Sequence, residues 1–321
     1  MKRATLWMSL LSCLPLSVAA EIDFSDAYVV QEQNASDQVT LGGLRTSGAE
    51  TEYQVNFEVV DNILIPKLDK IEAENPDSKK SLWHIYKLLQ SKTWVDLTHA
   101  FDSDIPHWKG FEPMRTTILY NYADGFLVHE YCHVGQWGTH VDPPAHFHEG
   151  LRTQDQIDVK EMLMPLVVID VHEKVAENPD YQLTMEDVQA WEAKHGDIPE
   201  GAFVAMRTDW AKRWPSQEEM QNVDDEGIAH YPGWSQETLT FLYETRKITA
   251  SGHEPTDTDP GISTSQNDYS LESYILKQDK YQIELLANLD QVPEAGALVS
   301  VTWPNAKQGS GFPARVFAIL P

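Results

Sequence analysis

Cysteine is scarce in this sequence, which contains Cys13, Cys132 and no other. Cys13 falls in an apolar N-terminal segment that we interpret as a cleaved signal, so an intrachain disulfide is excluded in the mature chain even in an oxidising compartment. Cys132 lies in an apolar run, and we predict a buried, unreactive thiol there. The chain has 321 residues, of which 41% are hydrophobic, so it is long enough to bury a full core.

Positive charge is scarce as well, with 24 Lys and Arg against 50 Asp and Glu and a formal net charge of -26. Such an acidic surface disfavours nucleic acid and anionic membranes as partners. Beyond residue 20 no stretch is apolar enough to span a membrane. Internal repeats, a P-loop and a G-x-G-x-x-G motif are also absent. The composition suits a solvated periplasmic or extracellular enzyme.

The first 20 residues have the pattern of a secretory signal peptide. Lys2 and Arg3 form the charged start, an apolar run covers residues 4–18, and cleavage is expected after Ala20. We therefore predict a periplasmic or secreted protein. The residues before Cys13 weakly resemble a lipoprotein cleavage box, but the apolar run continues past it, which makes lipidation the less favoured alternative.

Two further regions follow the signal segment. Residues 21–91 are acidic and polar, and we interpret them as an N-terminal extension that wraps the domain or contacts a partner subunit. Within them, residues 81–89 carry apolar side chains at a spacing of three to four, which predicts a short helix. Residues 92–321 contain the β-branched runs and the candidate site, and we predict that they form one catalytic domain.

The chemistry is concentrated in the segment Gly135-Gln-Trp-Gly-Thr-His-Val-Asp-Pro-Pro-Ala-His-Phe-His148. If its first half is a strand, side chains alternate between faces, so Gln136, His140 and Asp142 share one face. Gly138 on the same face leaves room for an ion to approach the backbone. An amide oxygen, an imidazole and a carboxylate then converge, which is a mixed ligand set suited to Zn²⁺, Mn²⁺ or Fe²⁺.

The residues after this strand supply a base. Pro143 and Pro144 end the strand because neither has a backbone N–H to donate. The chain turns there, and His146 is free to reach over the same point, where it can accept a proton from activated water. The alternative interpretation is an edge strand whose histidines are ordinary surface residues.

This segment resembles the signature H-x-G-T-H-x-D-x-P-x-H of the cyclase family of metal-dependent hydrolases, which includes kynurenine formamidases and isatin hydrolases. The matching residues are Gly138, Thr139, His140, Asp142, Pro144 and His146. The first histidine of the signature is replaced by Gln136, a weaker neutral ligand. The resemblance implies an α/β fold, the swivelling β/β/α domain of the cyclase type with a mixed sheet and flanking helices, and a homo-oligomer.

Further site residues follow from the same resemblance. In the family, a P-x-W-x-G loop borders the site, which makes Trp108 an aromatic contact for the substrate, with a core tryptophan as the alternative. The R-T-x-W element places Arg207 at a strand end, where it orients a substrate carbonyl or forms a structural salt bridge. Trp137, His253 and Glu254 are the remaining predicted substrate contacts, with surface positions as the alternative for the last two.

Glu284 is the predicted fourth metal ligand. It lies among apolar residues, and a buried carboxylate requires a cation, a metal or a strong donor as partner. It also matches the glutamate of the family's late I-E-x-L element. Dinuclear members carry a histidine about a dozen residues earlier, where this chain offers Glu272, so we expect one divalent ion, Mn²⁺ or Zn²⁺.

These observations predict a metal-dependent hydrolase that opens a C–N bond (amide, formamide or cyclic imide) or a lactone of a small, aromatic substrate. In this prediction His146 is the base, while Gln136, His140, Asp142 and Glu284 hold the ion. The alternative is a periplasmic small-molecule binding protein with a degenerate metal site, which the replacement at Gln136 keeps open.

Overall fold

A computed structural model describes residues 81–321 in full and, before them, the backbone of five strands. The predicted signal segment, including Cys13, lies outside the described residues, so export stays a prediction. Within the described part of the chain, no helix combines the length and the apolar character needed to cross a bilayer. Chain contacts divide the protein into two units, residues 1–91 and 92–321.

The first unit contains an antiparallel sheet, for which the sequence interpretation above assigned no strands. Its strands pair in the order β1-β3-β4-β5, and β2 pairs with β3 at residues that precede those paired with β1. One signal that could have revealed it is the alternation of Tyr53, Val55, Phe57 and Val59, which is typical of a strand. The predicted short helix is confirmed, and it begins after Ser81, whose hydroxyl accepts from the backbone N–H of Trp83. The elements are β1 (Ile22–Asp23), β2 (Tyr28–Glu32), β3 (Gln38–Thr46), β4 (Glu52–Val60), β5 (Ile63–Lys67) and α1 (Leu82–Gln90).

The second unit is built on a nine-stranded mixed sheet with a separate two-stranded hairpin. Its strands are β6 (Trp94–Asp96), β7 (Arg115–Tyr120), β8 (Val128–Cys132), β9 (His140–Asp142), β10 (Leu163–Asp170), β11 (Phe203–Arg207), β12 (Ala250–His253), β13 (Tyr281–Glu284), β14 (Ala297–Thr302), β15 (Phe312–Pro313) and β16 (Arg315–Ile319). Its helices are α2 (His172–Glu177), α3 (Met185–His195), α4 (Gln217–Gln221), α5 (Gln236–Thr240), α6 (Gly261–Thr264) and α7 (Ser270–Lys277).

The sheet order is β15-β9-β13-β12-β11-β10-β14-β16-β6. The four central strands β13, β12, β11 and β10 run parallel, and the strands on either side of them pair antiparallel. Parallel strands need crossover connections, and the helices between them cover one face. The junction between β13 and antiparallel β9 is the place where the candidate site forms.

Both faces of the central sheet are buried. Along β10, Val167 and Ile169 point into a cluster with the helices α3, α5 and α7, whereas Leu166 and Val168 point into a second cluster on the opposite face. This arrangement explains why β10 is a nearly continuous apolar run rather than an alternating one.

Two predicted features of the fold differ from the structure. The sequence from Tyr281 to Leu289 predicts one continuous strand, but β13 ends at Glu284, because the next residue, Leu285, has a φ of +57° and turns the chain out of the sheet. The prediction of a buried Cys132 is wrong, because this thiol is exposed on β8 and accepts from Arg115 at 3.4 Å. The apolar residues around it belong to the exposed hairpin β7/β8 and not to the core.

Candidate metal centre and substrate cavity

Three ligand groups meet on one face of the β9/β13 strand pair. In the antiparallel register, His140 lies opposite Glu284 and Asp142 lies opposite Gln282, so all four side chains share a face. His140 Nε2 is 3.4 Å from Asp142 Oδ2 and 3.5 Å from Glu284 Oε2. The other ring nitrogen of His140 contacts the Gly138 carbonyl at 2.7 Å, which orients the ring. We call His140, Asp142 and Glu284 the cage; all three are buried.

A second triad shares Asp142 with the cage. After Pro143, residues 144–146 form a single 3-10 turn that brings His146 back over the strand. His146 Nε2 lies 3.9 Å from Asp142 Oδ1 and 3.9 Å from Glu272 Oε1. Glu272 comes from α7, whose first backbone N–H groups donate to Asp259. This geometry agrees with the prediction that His146 reaches the point where His140 and Asp142 converge.

The electrostatics of the cage fit a divalent cation. Burial raises the pKa of Glu284 and Glu272 well above the usual value, and the nearby carboxylate of Asp142 raises both further. Burial acts in the same direction on Asp142, but the charges of His140 and His146 and hydrogen bonds from His140 and Gln136 together outweigh it, so the pKa of Asp142 lies below its usual value. Carboxylates concentrated in this way around one imidazole offer the oxygen and nitrogen ligands that Mn²⁺ and Zn²⁺ bind.

The structure orients the Gln136 amide differently from the prediction that its oxygen is a metal ligand. Its Nε2 donates to the Ser310 carbonyl at 2.7 Å and to Asp142 Oδ1 at 3.2 Å. Both partners are acceptors, so the reverse orientation of the amide would place oxygen against oxygen. The expected strand also begins later, at His140, since Gly138 has a φ of +66° and breaks the alternation before it. Gln136 therefore contacts a ligand and is not itself placed as one.

His253 is close to the site but behind it. It is completely buried, and Trp234 Nε1 donates to its Nδ1 at 3.3 Å. The proton of the neutral ring is then on Nε2, which lies 3.4 Å from Glu284 Oε1. Burial lowers the pKa of His253 to about 3, which keeps the ring neutral. The structure places this residue against a cage carboxylate rather than in the cavity as a substrate contact.

Two further predicted substrate contacts, Trp137 and Arg207, lie away from the cavity. Trp137 is fully buried in a small cluster with Ile105 and Met114, and its indole N–H donates to the Asp102 carbonyl. Even in a continuous strand its side chain would alternate with those of Gln136 and His140 and so point away from the cage. Arg207 forms the structural salt bridge that was its alternative interpretation, with Asp170 at 2.7 Å and Asp209 at 2.9 Å.

Glu254 is the fourth predicted substrate contact that does not line the cavity. Its Oε2 accepts from the backbone N–H and the hydroxyl of Thr208 and from the N–H of Trp210, so it holds the chain after β11. Burial raises the pKa of Glu254 to about 7, because these donors only partly replace water. In this structure Glu254 connects the loop after β12 to the loop after β11.

Glu254→Gln is expected to change how stability depends on pH. Because the folded protein holds this proton up to about pH 7 and the unfolded chain releases it near pH 4.5, the wild type loses stability as pH rises between these values. The lost free energy of unfolding is about 3 kcal/mol. Gln keeps the acceptor oxygen and cannot titrate, so this loss should disappear when unfolding by urea is compared at about pH 5 and about pH 8.

Glu192→Gln is the matched control for this measurement. Glu192 is paired with Arg246, a contact that lowers the pKa of Glu192, so its titration lies below the tested range. The control should keep the pH dependence of the wild type. An unchanged pH dependence in Glu254→Gln would contradict the proposed buried proton.

A cavity of about 450 Å³ opens onto the cage. Trp108 lines it, as predicted, and donates to the Tyr269 hydroxyl at 3.0 Å. The aromatic wall of the cavity consists of His107, Trp108, Phe111, Phe147 and Tyr269. Asp257, Glu272 and Gln136 complete the polar side together with the cage and His146. Most of the wall was missed from the sequence because its members lie in loops without periodicity.

Comparisons with known proteins match this chain to one family of hydrolases. The family model described as "Putative cyclase" matches residues 95–260. The isatin hydrolase of Roseibium aggregatum is 34% identical over 189 residues, which cover 57% of this chain and 71% of that protein. The structure of isatin hydrolase A from Labrenzia aggregata bound to benzyl benzoate superposes with a TM-score of 0.69 at 33% identity, over 74% of this chain and 98% of that one.

A third match is the structure of an isatin hydrolase bound to the product analogue thioisatinate. It has a TM-score of 0.69 and 27% identity and covers 77% of this chain and 99% of that one. The matches confirm the predicted fold class, a mixed sheet with flanking helices of the cyclase type, and the predicted hydrolase class. The signature residues, the fold and the matched relatives together show that this chain belongs to the cyclase family.

Proposed function

We propose that this hydrolase opens a cyclic amide of the isatin type, a planar aromatic ring fused to a lactam. The observation that carries the proposal is the buried cage at one end of a cavity with an aromatic wall. A volume of about 450 Å³ is in the range of small-molecule sites. The isatin hydrolases among its relatives support the same substrate class.

The chemistry divides between an ion and the chain's own residues. The cage residues would hold a divalent ion, which supplies Lewis acidity for a carbonyl and lowers the pKa of water. His146 lies beside Asp142 and lines the cavity, so it can accept the proton of the attacking water and return it to the leaving nitrogen. The water oxygen first forms a C–O bond to the amide carbonyl carbon, and the C–N bond of the ring then breaks as the nitrogen receives the proton, which opens the ring. The aromatic wall holds the substrate ring by stacking.

We further propose that the ion is a single Mn²⁺ or Zn²⁺. One imidazole and two carboxylates form a borderline ligand set that accommodates either metal. The second triad shares Asp142 and includes the proposed base, so its use as a separate metal site would remove the proton acceptor. Glu272 then stays a cavity-lining carboxyl whose pKa is raised by burial.

The test is ring opening of isatin, followed by absorbance, after chelation and reconstitution with Mn²⁺ or Zn²⁺. We expect no turnover by the chelated protein and restored turnover with one of the two ions, at a stoichiometry of one per chain by elemental analysis. An open-chain aryl formamide serves as the comparison substrate and should react more slowly. Isatin binding without turnover under either ion would contradict the proposal and favour the binding-protein alternative.

A further inference from the structure

A glutamine outside the cage contacts two of its three members. Gln282 lies on β13 directly opposite Asp142, two residues before Glu284, and its side chain is on the face of the cage. Its Nε2 donates to Glu284 Oε1 at 3.0 Å and to Asp142 Oδ2 at 3.4 Å. One amide group therefore bridges two buried carboxylates that would otherwise repel each other.

The orientation of this amide is fixed from the other side. The Thr258 hydroxyl donates to Gln282 Oε1, and both side chains have an exposed fraction of 0%. The backbone of Thr258 is itself held, since its carbonyl accepts from the N–H of Trp234 at 3.0 Å. With Oε1 occupied by a donor, only Nε2 can face the carboxylates. A reversed amide would place its oxygen against two anionic groups and leave the hydroxyl facing an N–H₂ group.

The bridge also determines which oxygen of Glu284 faces the cage. Because Gln282 holds Oε1, the other oxygen, Oε2, is the one that lies 3.5 Å from His140 Nε2. Groups that hold the ligands of a metal in this way determine their geometry before the ion arrives. A glutamine is suited to this position because its amide remains neutral and can donate to two acceptors at once.

We propose that Thr258 and Gln282 form a positioning pair that preorganises the cage for its ion, with Thr258 orienting the amide and Gln282 holding the carboxylates of Asp142 and Glu284. This inference rests on the proposed function, since it assumes that the cage binds a divalent ion. Thr258 and Gln282, which are not ligands themselves, would thereby control the affinity of the cage for its metal. Loss of such a partner typically weakens metal binding by about 10- to 100-fold.

The test measures binding of Mn²⁺ alone to the chelated full-length protein, by calorimetry and by the loss of the electron paramagnetic resonance signal of free Mn²⁺. Thr258→Val keeps the shape of the side chain and removes the hydroxyl, whereas Thr258→Ser keeps the hydroxyl. Gln282→Met keeps the length and removes the amide. Thermal unfolding without metal shows whether each variant is folded.

Ser251→Ala is the matched control. Ser251 is as completely buried as the positioning pair, it lies opposite Gln282 on the neighbouring strand β12, and its hydroxyl accepts from Tyr243. Its replacement removes a buried hydroxyl close to the cage without touching the bridge. Any effect that comes from general loosening of this sheet should therefore appear in this variant as well.

We expect Thr258→Val and Gln282→Met to weaken Mn²⁺ binding by about 10- to 100-fold, while Thr258→Ser and Ser251→Ala stay within about threefold of the wild type. Wild-type affinity in Thr258→Val, or no recovery in Thr258→Ser, would overturn the inference while leaving the proposed function intact. An equal loss in Ser251→Ala would also overturn it. A wild-type protein that binds neither Mn²⁺ nor Zn²⁺ would overturn both.

Discussion

Asp142→Asn is expected to abolish metal binding and activity together. Asp142 is shared by the cage and the second triad, so one substitution removes a charged ligand from the cage and a contact of the proposed base. Asparagine keeps the shape and removes the negative charge on which affinity for a divalent ion depends. We expect a loss of Mn²⁺ affinity on the order of a thousandfold or more, beyond the about 10- to 100-fold of a residue that only positions a ligand. Calorimetry and elemental analysis of the purified variant measure it.

Asp170→Asn is the control for this experiment. Asp170 is a partly buried carboxylate at the end of β10 that pairs with Arg207 and His172. The Asp170→Asn variant should lose some thermal stability and keep both the metal and the activity. Full metal occupancy in Asp142→Asn would exclude the cage as the site of the ion.

His146→Gln is expected to separate catalysis from metal binding. Glutamine is polar and of similar reach but cannot accept and return a proton at neutral pH, so the rate of ring opening should fall by about 10²- to 10⁴-fold. The cage does not include this residue, so Mn²⁺ should still bind. The measurement combines the rate with isatin and the metal content of the same preparation.

His148→Gln is the matched control, two residues further along the same loop. The His148 ring contacts the Ser273 carbonyl at 2.8 Å and so has a structural partner of its own. This variant should keep most of the activity. If His146→Gln lost its metal along with its activity, the imidazole would be a ligand, and the assignment of the base would have to be abandoned.

Sequence reasoning worked where a short segment determines the geometry. His140 and Asp142 were placed together because side chains two apart in a strand share a face, and His146 followed from the turn that two prolines impose. Glu284 was predicted from an isolated carboxylate in an apolar run, whose partner the structure supplies on the neighbouring strand.

The same reasoning failed where the decisive neighbour is remote in sequence. The amide of Gln136 is oriented by the Ser310 carbonyl, 174 residues away, and no local pattern reports that contact. The backbone of Gly138 adopts a left-handed conformation that ends the alternation before His140, and Trp137 packs into the core instead of lining the site. Tyr269 reaches the cavity from the loop before α7 and is located by its bond to Trp108, which only the fold creates.

The pairing of β9 with β13 has a consequence for a chain so poor in cysteine. Asp142 and Gln282, which face each other across this pair, are separated by 140 positions along the chain. An ion bound to both strands would cross-link them much as a disulfide does and would restrict the unfolded chain, an effect worth roughly 4 to 5 kcal/mol for a loop of about this length. The metal would then stabilise the folded protein as well as take part in catalysis.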